Sequence, residues 1–169
     1  MLSEVYLGLG SNLGERRNNI AEALSHLRKL SSGLAASALY ETSPVGFSGQ
    51  PAFVNAACRI WTGLDPFELL EELGEIQAAL GSRRAFVNGP RTLDIDILVY
   101  GQLVLSTPGL SIPHPRMAGR EFVLAPLAEI APGLRHPVLR ETVRSLLARL
   151  RSSGAHTAQR PPLATRWAS

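Results

Sequence analysis

Cysteine and lysine are almost missing from this sequence, with one of each, Cys58 and Lys29. A lone cysteine excludes a disulfide framework, and nothing else points to an oxidising compartment. Cys58 lies in the apolar run 53–61, where a small buried filler is the preferred reading over a nucleophile. No stretch of 18 apolar residues is present, which excludes a membrane-spanning helix. The opening Met1-Leu2-Ser3-Glu4-Val5-Tyr6 lacks the basic region and apolar core of a signal peptide. The expectation is a cytoplasmic protein with no membrane partner. Aromatic residues make up 6% of the chain, and no basic block with interleaved aromatics of the kind single-strand binders use occurs. No internal repeat is found.

What is present describes one globular domain. The 169 residues are 45% hydrophobic and 18% charged, enough to bury a core without staples. The net charge of +3 is carried by sixteen arginines against the single lysine. A compositional habit of the source would explain that bias, but the rigid donor fork of arginine also suits a phosphate-bearing ligand.

Residues 5–9 read as a short buried strand that ends at Gly10-Ser11-Asn12, a turn and cap before a helix over 15–30. Ile20, Ala23, Leu24 and Leu27 share one face of that helix. A second strand is predicted over 34–40, a turn-rich loop over 42–51, and a third strand over 53–61. Asp65-Pro66-Phe67-Glu68 carries a capping box and a proline at the first helical position. It starts a helix to Gly81 whose apolar stripe reads Phe67, Leu70, Leu73, Ile76, Leu80. A strand over 92–100 follows, with Gly101-Gln102 as a hairpin turn into 103–105, then short helices within 122–130 and over 142–150. Residues 1–151 form the expected single domain and 152–169 a mobile tail. The order strand, helix, strand, strand, helix, strand is that of an α+β ferredoxin-like sandwich. Its sheet is mainly antiparallel, with helices packed on one face.

Three segments carry candidate chemistry. In 89–98, Gly-Pro-Arg-Thr-Leu-Asp-Ile-Asp-Ile-Leu, residues two apart share a strand face. Asp94 and Asp96 therefore stand side by side, ~7 Å apart along the backbone, with Leu93, Ile95 and Ile97 facing the other way. Two like charges there need a compensating cation. A magnesium pair roughly 4 Å apart on phosphate oxygens meets that need, and so does a solvated edge strand that faces water or arginines. In 53–55, a ring at Phe53 and an amide at Asn55 on one side of the strand can stack on a heterocycle and pair with its edge. An ordinary loop with a core phenylalanine is the other reading. In 112–117, His114 is held between two prolines, with Arg116, Arg120 and Phe122 nearby, which suits either a fixed ligand contact or a structural role.

Together these segments resemble the 6-hydroxymethyl-7,8-dihydropterin pyrophosphokinase family. The matching pieces are Tyr6-Leu7-Gly8-Leu9-Gly10-Ser11-Asn12-Leu13-Gly14, Tyr40-Glu41-Thr42 through Gln50-Pro51, and Phe53-Val54-Asn55-Ala56-Ala57. The run 89–98 and Ile112-Pro113-His114-Pro115-Arg116-Met117 complete them, in the family's order over about residues 4–135. The resemblance implies a ferredoxin-like monomer that uses two Mg²⁺ ions. It would move the terminal diphosphate of ATP onto the hydroxymethyl oxygen of the pterin and release AMP. Asp94 and Asp96 would hold the metal ions, and Asn55 would pair with the pterin edge. Phe53 and Phe122 would sandwich its ring, with backbone near Thr42, Ser43 and Val45 completing that pocket. Arg91, His114 and Arg120 would contact phosphates, while Ile97 and Ser111 would lie by the adenosine. Loops 44–50 and 82–89 are expected to close over the substrates.

Several positions depart from the family pattern. A glutamate commonly lies where Gln77 is, a residue placed among the nucleotide contacts. Gly81-Ser82-Arg83-Arg84 replaces Gly-Arg-x-Arg, so the mobile catalytic arginine is Arg83 or Arg84, in a loop about one residue shorter than in some relatives. Asn88 and Pro115 stand where aromatics are usual. A nonenzymatic nucleotide- or nucleic-acid-binding module on the same fold is the alternative reading. Adjacent carboxylates weigh against it, because without a bridging metal they repel phosphate. A two-metal nuclease or nucleotidyltransferase is a third, opposed by the pocket of Phe53, Asn55 and Phe122.

Overall fold

The computed structural model describes residues 1–42, 52–81 and 92–154. Its centre is β1 (Ser3–Ser11), whose alternation sends Val5, Leu7 and Leu9 into one core and Tyr6 into another. β4 (Phe53–Thr62) pairs with one side of β1 and β5 (Asp94–Tyr100) with the other. β2 (Gly33–Ala36) and β3 (Tyr40–Thr42) both lie against the far side of β4. The resulting order, β2-β4-β1-β5 with every pairing antiparallel, is that of a ferredoxin-like sheet.

Between them, β2 and β3 divide the strand predicted over 34–40. The break falls at Ser37, whose side chain takes over the ladder. Its backbone N–H donates to the Ala57 carbonyl at 2.8 Å, while its hydroxyl oxygen accepts the Ala57 N–H at 2.9 Å. The next N–H, of Ala38, turns away to the Glu129 carboxylate at 2.9 Å.

α1 (Arg16–Lys29) buries Ile20, Ala23, Leu24 and Leu27, all 2% exposed or less, and closes with His26, Arg28 and Lys29 at its dipole-negative end. The expected cap from the preceding turn is absent. Glu15 is the N-cap and makes no side-chain capping bond, while Ser11 and Asn12 are fully buried behind it. α2 (Pro66–Ala79) begins with the predicted capping box: Asp65 Oδ1 accepts from Phe67 N and Glu68 N at 2.9 Å each, and Glu68 accepts from Asp65 N at 3.1 Å. Its buried stripe is Leu69, Leu73 and Ile76; Phe67 is 53% and Leu70 37% exposed. From Phe67 to Ile76 the predicted stripe stepped by threes. Each such step falls ~60° short of a full turn, so Phe67 and Ile76 end on opposite sides.

α1 and α2 cover one sheet face. α3 (Glu121–Ile130) and α4 (Val143–Ser152) cover part of the other, packing on Tyr6, Ala57, Leu98 and Val99. The expectation of helices on one face alone is therefore corrected, because β1, β4 and β5 carry apolar side chains toward both. The expected hairpin after β5 does not form either. The chain turns at Gly101, which has φ +53°, and β6 (Leu105–Ser106) pairs instead with β7 (Ser111–Ile112). The outer edge of β5 is already taken: Gln77 Oε1 accepts from Ile95 N at 2.6 Å, and His114 N donates to the Leu98 carbonyl at 2.9 Å. Of the expected tail, 152–154 finish α4 and its cap, and 155–169 lie outside the described residues.

Loss of the double cap has a measurable cost. Asp65→Ala is expected to lower the unfolding free energy by about 1 kcal/mol, read as a lower urea midpoint at unchanged m-value. An unchanged midpoint would show that α2 is held by packing alone.

Candidate active site

The α3/α4 cluster stops at Ala57 and Leu98. Beyond it the same sheet face is built from four strands in register, β5, β1, β4 and β3. Asp96 pairs with Gly8 and Gly8 with Ala57; Asp94 pairs with Gly10 and Gly10 with Asn55; Tyr40 lies beside Asn55, and Thr42 beside Phe53. The two carboxylates thus sit on one side of a glycine floor, and the amide and ring sit on the other.

The floor is tight. A Cβ built on Gly10 would lie 3.0 Å from Asn55 Oδ1 and 3.8 Å from a Phe53 ring carbon, so both side chains lean across the glycine. A Cβ on Gly8 would touch Leu98 at 3.5 Å. Asn55 is 6% exposed and Phe53 half-buried. β3 is held against this region by Tyr40, which donates its hydroxyl to Glu129 on α3 at 2.7 Å. Burial first, and then Glu129, push its phenol well above the usual range, so it stays a donor.

The carboxylate side is supported from three directions. Gln77 holds Ile95, the residue between Asp94 and Asp96. His114 lies on the segment that covers β5, within electrostatic reach of Asp94, Arg116 and Arg120. Burial, then Arg120, then Arg116 lower its pKa below the ordinary 6.5, and Asp94 opposes them. Its Nδ1 accepts the Arg116 N–H at 3.1 Å, so the neutral ring carries its proton on Nε2. The Arg120 guanidinium stacks on Phe122 at 5.5 Å from the ring centre, on the first turn of α3.

The structure therefore brings together Asp94, Asp96, Phe53 and Asn55 on one face, and His114 with Arg120 and Phe122 beside it. The side chain of Ile97 is in the opposite core, 4% exposed, so a ligand contact there is left to its backbone. Ser111 lies on β7, across from Ser106. Gln77 spends its carbonyl oxygen on β5, which makes it first a support for the aspartates. Thr42 is placed by its backbone only. Ser43, Val45, Arg83, Arg84 and Arg91, and the loops expected to close, lie outside the described residues. Sequence reasoning missed the glycine floor as a physical feature, although glycines two apart in an apolar strand are a signal for close approach.

The donor set fits magnesium. Two carboxylates face one space, and among the described residues no group of three histidine, cysteine or acidic side chains could hold a metal. Hard oxygen donors with places left for phosphate oxygens and water are what Mg²⁺ takes.

Fold and site define a ferredoxin-like α+β protein with an acid-bearing sheet face. Residues 6–132 match the model of the 7,8-dihydro-6-hydroxymethylpterin-pyrophosphokinase (HPPK) family. The 2-amino-4-hydroxy-6-hydroxymethyldihydropteridine pyrophosphokinase of Pseudomonas aeruginosa is 45% identical over 139 residues, 81% of this chain and 86% of that protein. The protein of the same name from Bacillus subtilis is 47% identical over 127 residues, 74% of this chain and 76% of that one. The folic acid synthesis protein FOL1 of Dictyostelium discoideum is 41% identical over 162 residues, 95% of this chain and 25% of that protein. This chain thus spans about a quarter of FOL1 and 20% of its Pneumocystis carinii counterpart. Among solved structures, Plasmodium falciparum HPPK-DHPS with pteroate aligns at a TM-score of 0.74 and 18% identity, covering 90% of this chain and 43% of that one, which speaks for the fold. The chain belongs to the HPPK family.

In metal-free protein, His114 is expected to titrate below 6.5 by NMR. Asp94→Asn should move its midpoint further down, since the one raising influence is removed. An upward move would show that the carboxylate does not act on this ring.

Proposed function

We propose that the chain transfers the β,γ-diphosphate of Mg-ATP to the hydroxymethyl group of 6-hydroxymethyl-7,8-dihydropterin, giving AMP and the pterin diphosphate in folate biosynthesis. The observation that carries this reading is the register that sets Asp94 and Asp96 across the Gly8–Gly10 floor from Asn55 and Phe53. The reading has the protein acting as a cytoplasmic monomer on small molecules, with no nucleic-acid partner.

Asn55 offers a donor and an acceptor to the pterin edge, and its burial makes an unmatched heterocycle costly. Phe53 provides the stacking surface, and Phe122, under Arg120, the second. Backbone near Thr42, Ser43 and Val45 closes the pocket. Asp94 and Asp96 would hold two Mg²⁺ ions. When bound, these neutralise phosphate charge and polarise the β-phosphorus. His114 donates from Nε2 to a phosphate oxygen, and Arg120 and Arg91 add charge-assisted donors. Arg83 or Arg84 is the further catalytic cation, and Gln77, Ile97 and Ser111 border the nucleotide.

The hydroxymethyl oxygen bonds to the β-phosphorus as the bond from that phosphorus to the α–β bridging oxygen breaks. AMP leaves with the bridging oxygen and the hydroxyl proton passes to solvent. A neutral alcohol that attacks through a loose transition state needs alignment and charge neutralisation more than a strong base. The rigid sheet supplies the first, and the arginines, with the metal that Asp94 and Asp96 would hold, the second.

AMP formation from Mg-ATP should depend on added pterin and be abolished by EDTA. Asp96→Ala is expected to fold and to lose about three orders of magnitude in turnover, the several kcal/mol attributed to a metal Lewis acid. Near wild-type turnover in the folded variant would remove the metal assignment. Asn55→Ala should weaken pterin binding about 10- to 100-fold while nucleotide binding stays within a factor of two or so. Equal losses of both would mean that the pterin lies elsewhere.

A further inference from the structure

The two halves of the site sit on different strands, yet both are tied to one short piece of α1. Arg16, the first residue of that helix, donates from Nη1 to the carbonyl of Ala52 at 2.6 Å and lies 3.9 Å from Glu41 on β3. Ala52 immediately precedes Phe53, and Glu41 is paired with Val54. One turn further on, Asn19 donates from Nδ2 to Ser11 Oγ at 3.2 Å, the Leu13 carbonyl at 3.0 Å and the Thr92 carbonyl at 3.2 Å. Ser11 follows the floor glycine Gly10, and Thr92 lies two residues before Asp94. A single amide thus spans the end of β1 and the approach to β5, the two strands whose pairing sets Gly10 opposite Asp94.

We propose that the first turn of α1 positions both halves of the site, Arg16 holding the heterocycle side through Ala52 and Asn19 holding the metal-phosphate side through Thr92. Neither side chain is a catalytic residue; each acts through the backbone it holds. The inference rests on the diphosphotransferase reading above.

The physical case is one of leverage. Ala52 and Thr92 stand next to the strands that carry Phe53, Asn55, Asp94 and Asp96, and the chain enters those strands through them. A side-chain donor on a helix anchored in the core by Ile20, Ala23, Leu24 and Leu27 fixes such an entry point far better than solvent does. Misplacement of a reacting group by ~1 Å can cost ~100-fold. The two anchors also differ chemically, a cation on one carbonyl and a neutral amide on three acceptors, so each can be removed without the other.

The test is a crossed binding measurement on the full chain by titration calorimetry. Mg²⁺ with α,β-methylene-ATP is one ligand. 6-Hydroxymethyl-7,8-dihydropterin, added to protein saturated with that nucleotide, is the other. Wild-type protein that bound neither would overturn the functional reading itself. With wild-type binding established, Arg16→Met should raise the pterin dissociation constant about ten-fold and leave the nucleotide constant within about two-fold. Asn19→Asp, which keeps the shape and loses the donors, should do the reverse. Arg16→Lys should restore most of the pterin affinity. If Asn19→Asp does not fold, Asn19→Ser is read in its place. Parallel losses of both ligands, tracking the fall in melting temperature, would reduce the turn to ordinary scaffold, and unchanged constants in folded variants would overturn the proposal as well.

Discussion

Everything at the site depends on β1 being hydrogen-bonded along both edges. A strand flanked on both sides cannot slide, and because side chains alternate strictly, its register decides what faces what. Gly8 and Gly10 pair with Ala57 and Asn55 on one side and with Asp96 and Asp94 on the other. A slip of β1 by one residue would send Leu7 and Leu9 to the polar face and turn Gly8 and Gly10 into the core. The core therefore enforces the site: Val5, Leu7 and Leu9, all 3% exposed or less, hold the register that leaves the glycines beneath the ligand groups. Fold stability and site geometry are here the same constraint.

What was legible in the sequence followed from period and capping. The alternation in 93–97 placed the aspartates opposite Leu93, Ile95 and Ile97, as the core cluster shows, and Asp65-Pro66-Phe67-Glu68 marked the start of α2 to the residue. What failed depended on partners distant in sequence. Nothing local to 34–40 says that the Ser37 hydroxyl will replace a ladder bond to Ala57, or that Glu129, far along the chain, will claim the N–H of Ala38. The hairpin after Gly101 failed for the same reason, because Gln77 and His114 had already used the edge a returning strand would need. At the site, residue types were legible and supports were not. Asn55 and Asp94 announce their chemistry, whereas Arg16 and Asn19 look like ordinary surface positions of a helix.

The electrostatics of the acid face follow from the same arrangement. The N–H between Asp94 and Asp96 is held by an uncharged residue, Gln77. A glutamate at that position could accept the same bond but would add a third negative charge beside the pair. His114 completes the balance from the other side. Burial first, then Arg120 and Arg116, lower its pKa against the opposing influence of Asp94, so the neutral ring offers an N–H to an anion without a full positive charge of its own.

One irregularity lets β5 serve two masters. The register with β1 shifts between Tyr6 and Leu7, so that Ile97 pairs with Leu7 and Val99 with Tyr6, and Leu98 is the extra residue. Without the bulge, strict alternation would keep Asp94, Asp96, Leu98 and Tyr100 on one face and turn Val99 away from it. With it, Leu98 and Val99 both enter the cluster under α3 and α4, and Tyr100 swings to the opposite core, where its hydroxyl donates to the Leu64 carbonyl at 2.5 Å. The strand thus carries a charged pair at one end and two consecutive apolar anchors at the other, on the same face. Leu98 closes the gap between them, resting over Gly8 where its contact ends the floor. The bulge is therefore what allows one strand to be held firmly by the second core while it presents the carboxylates a few residues away.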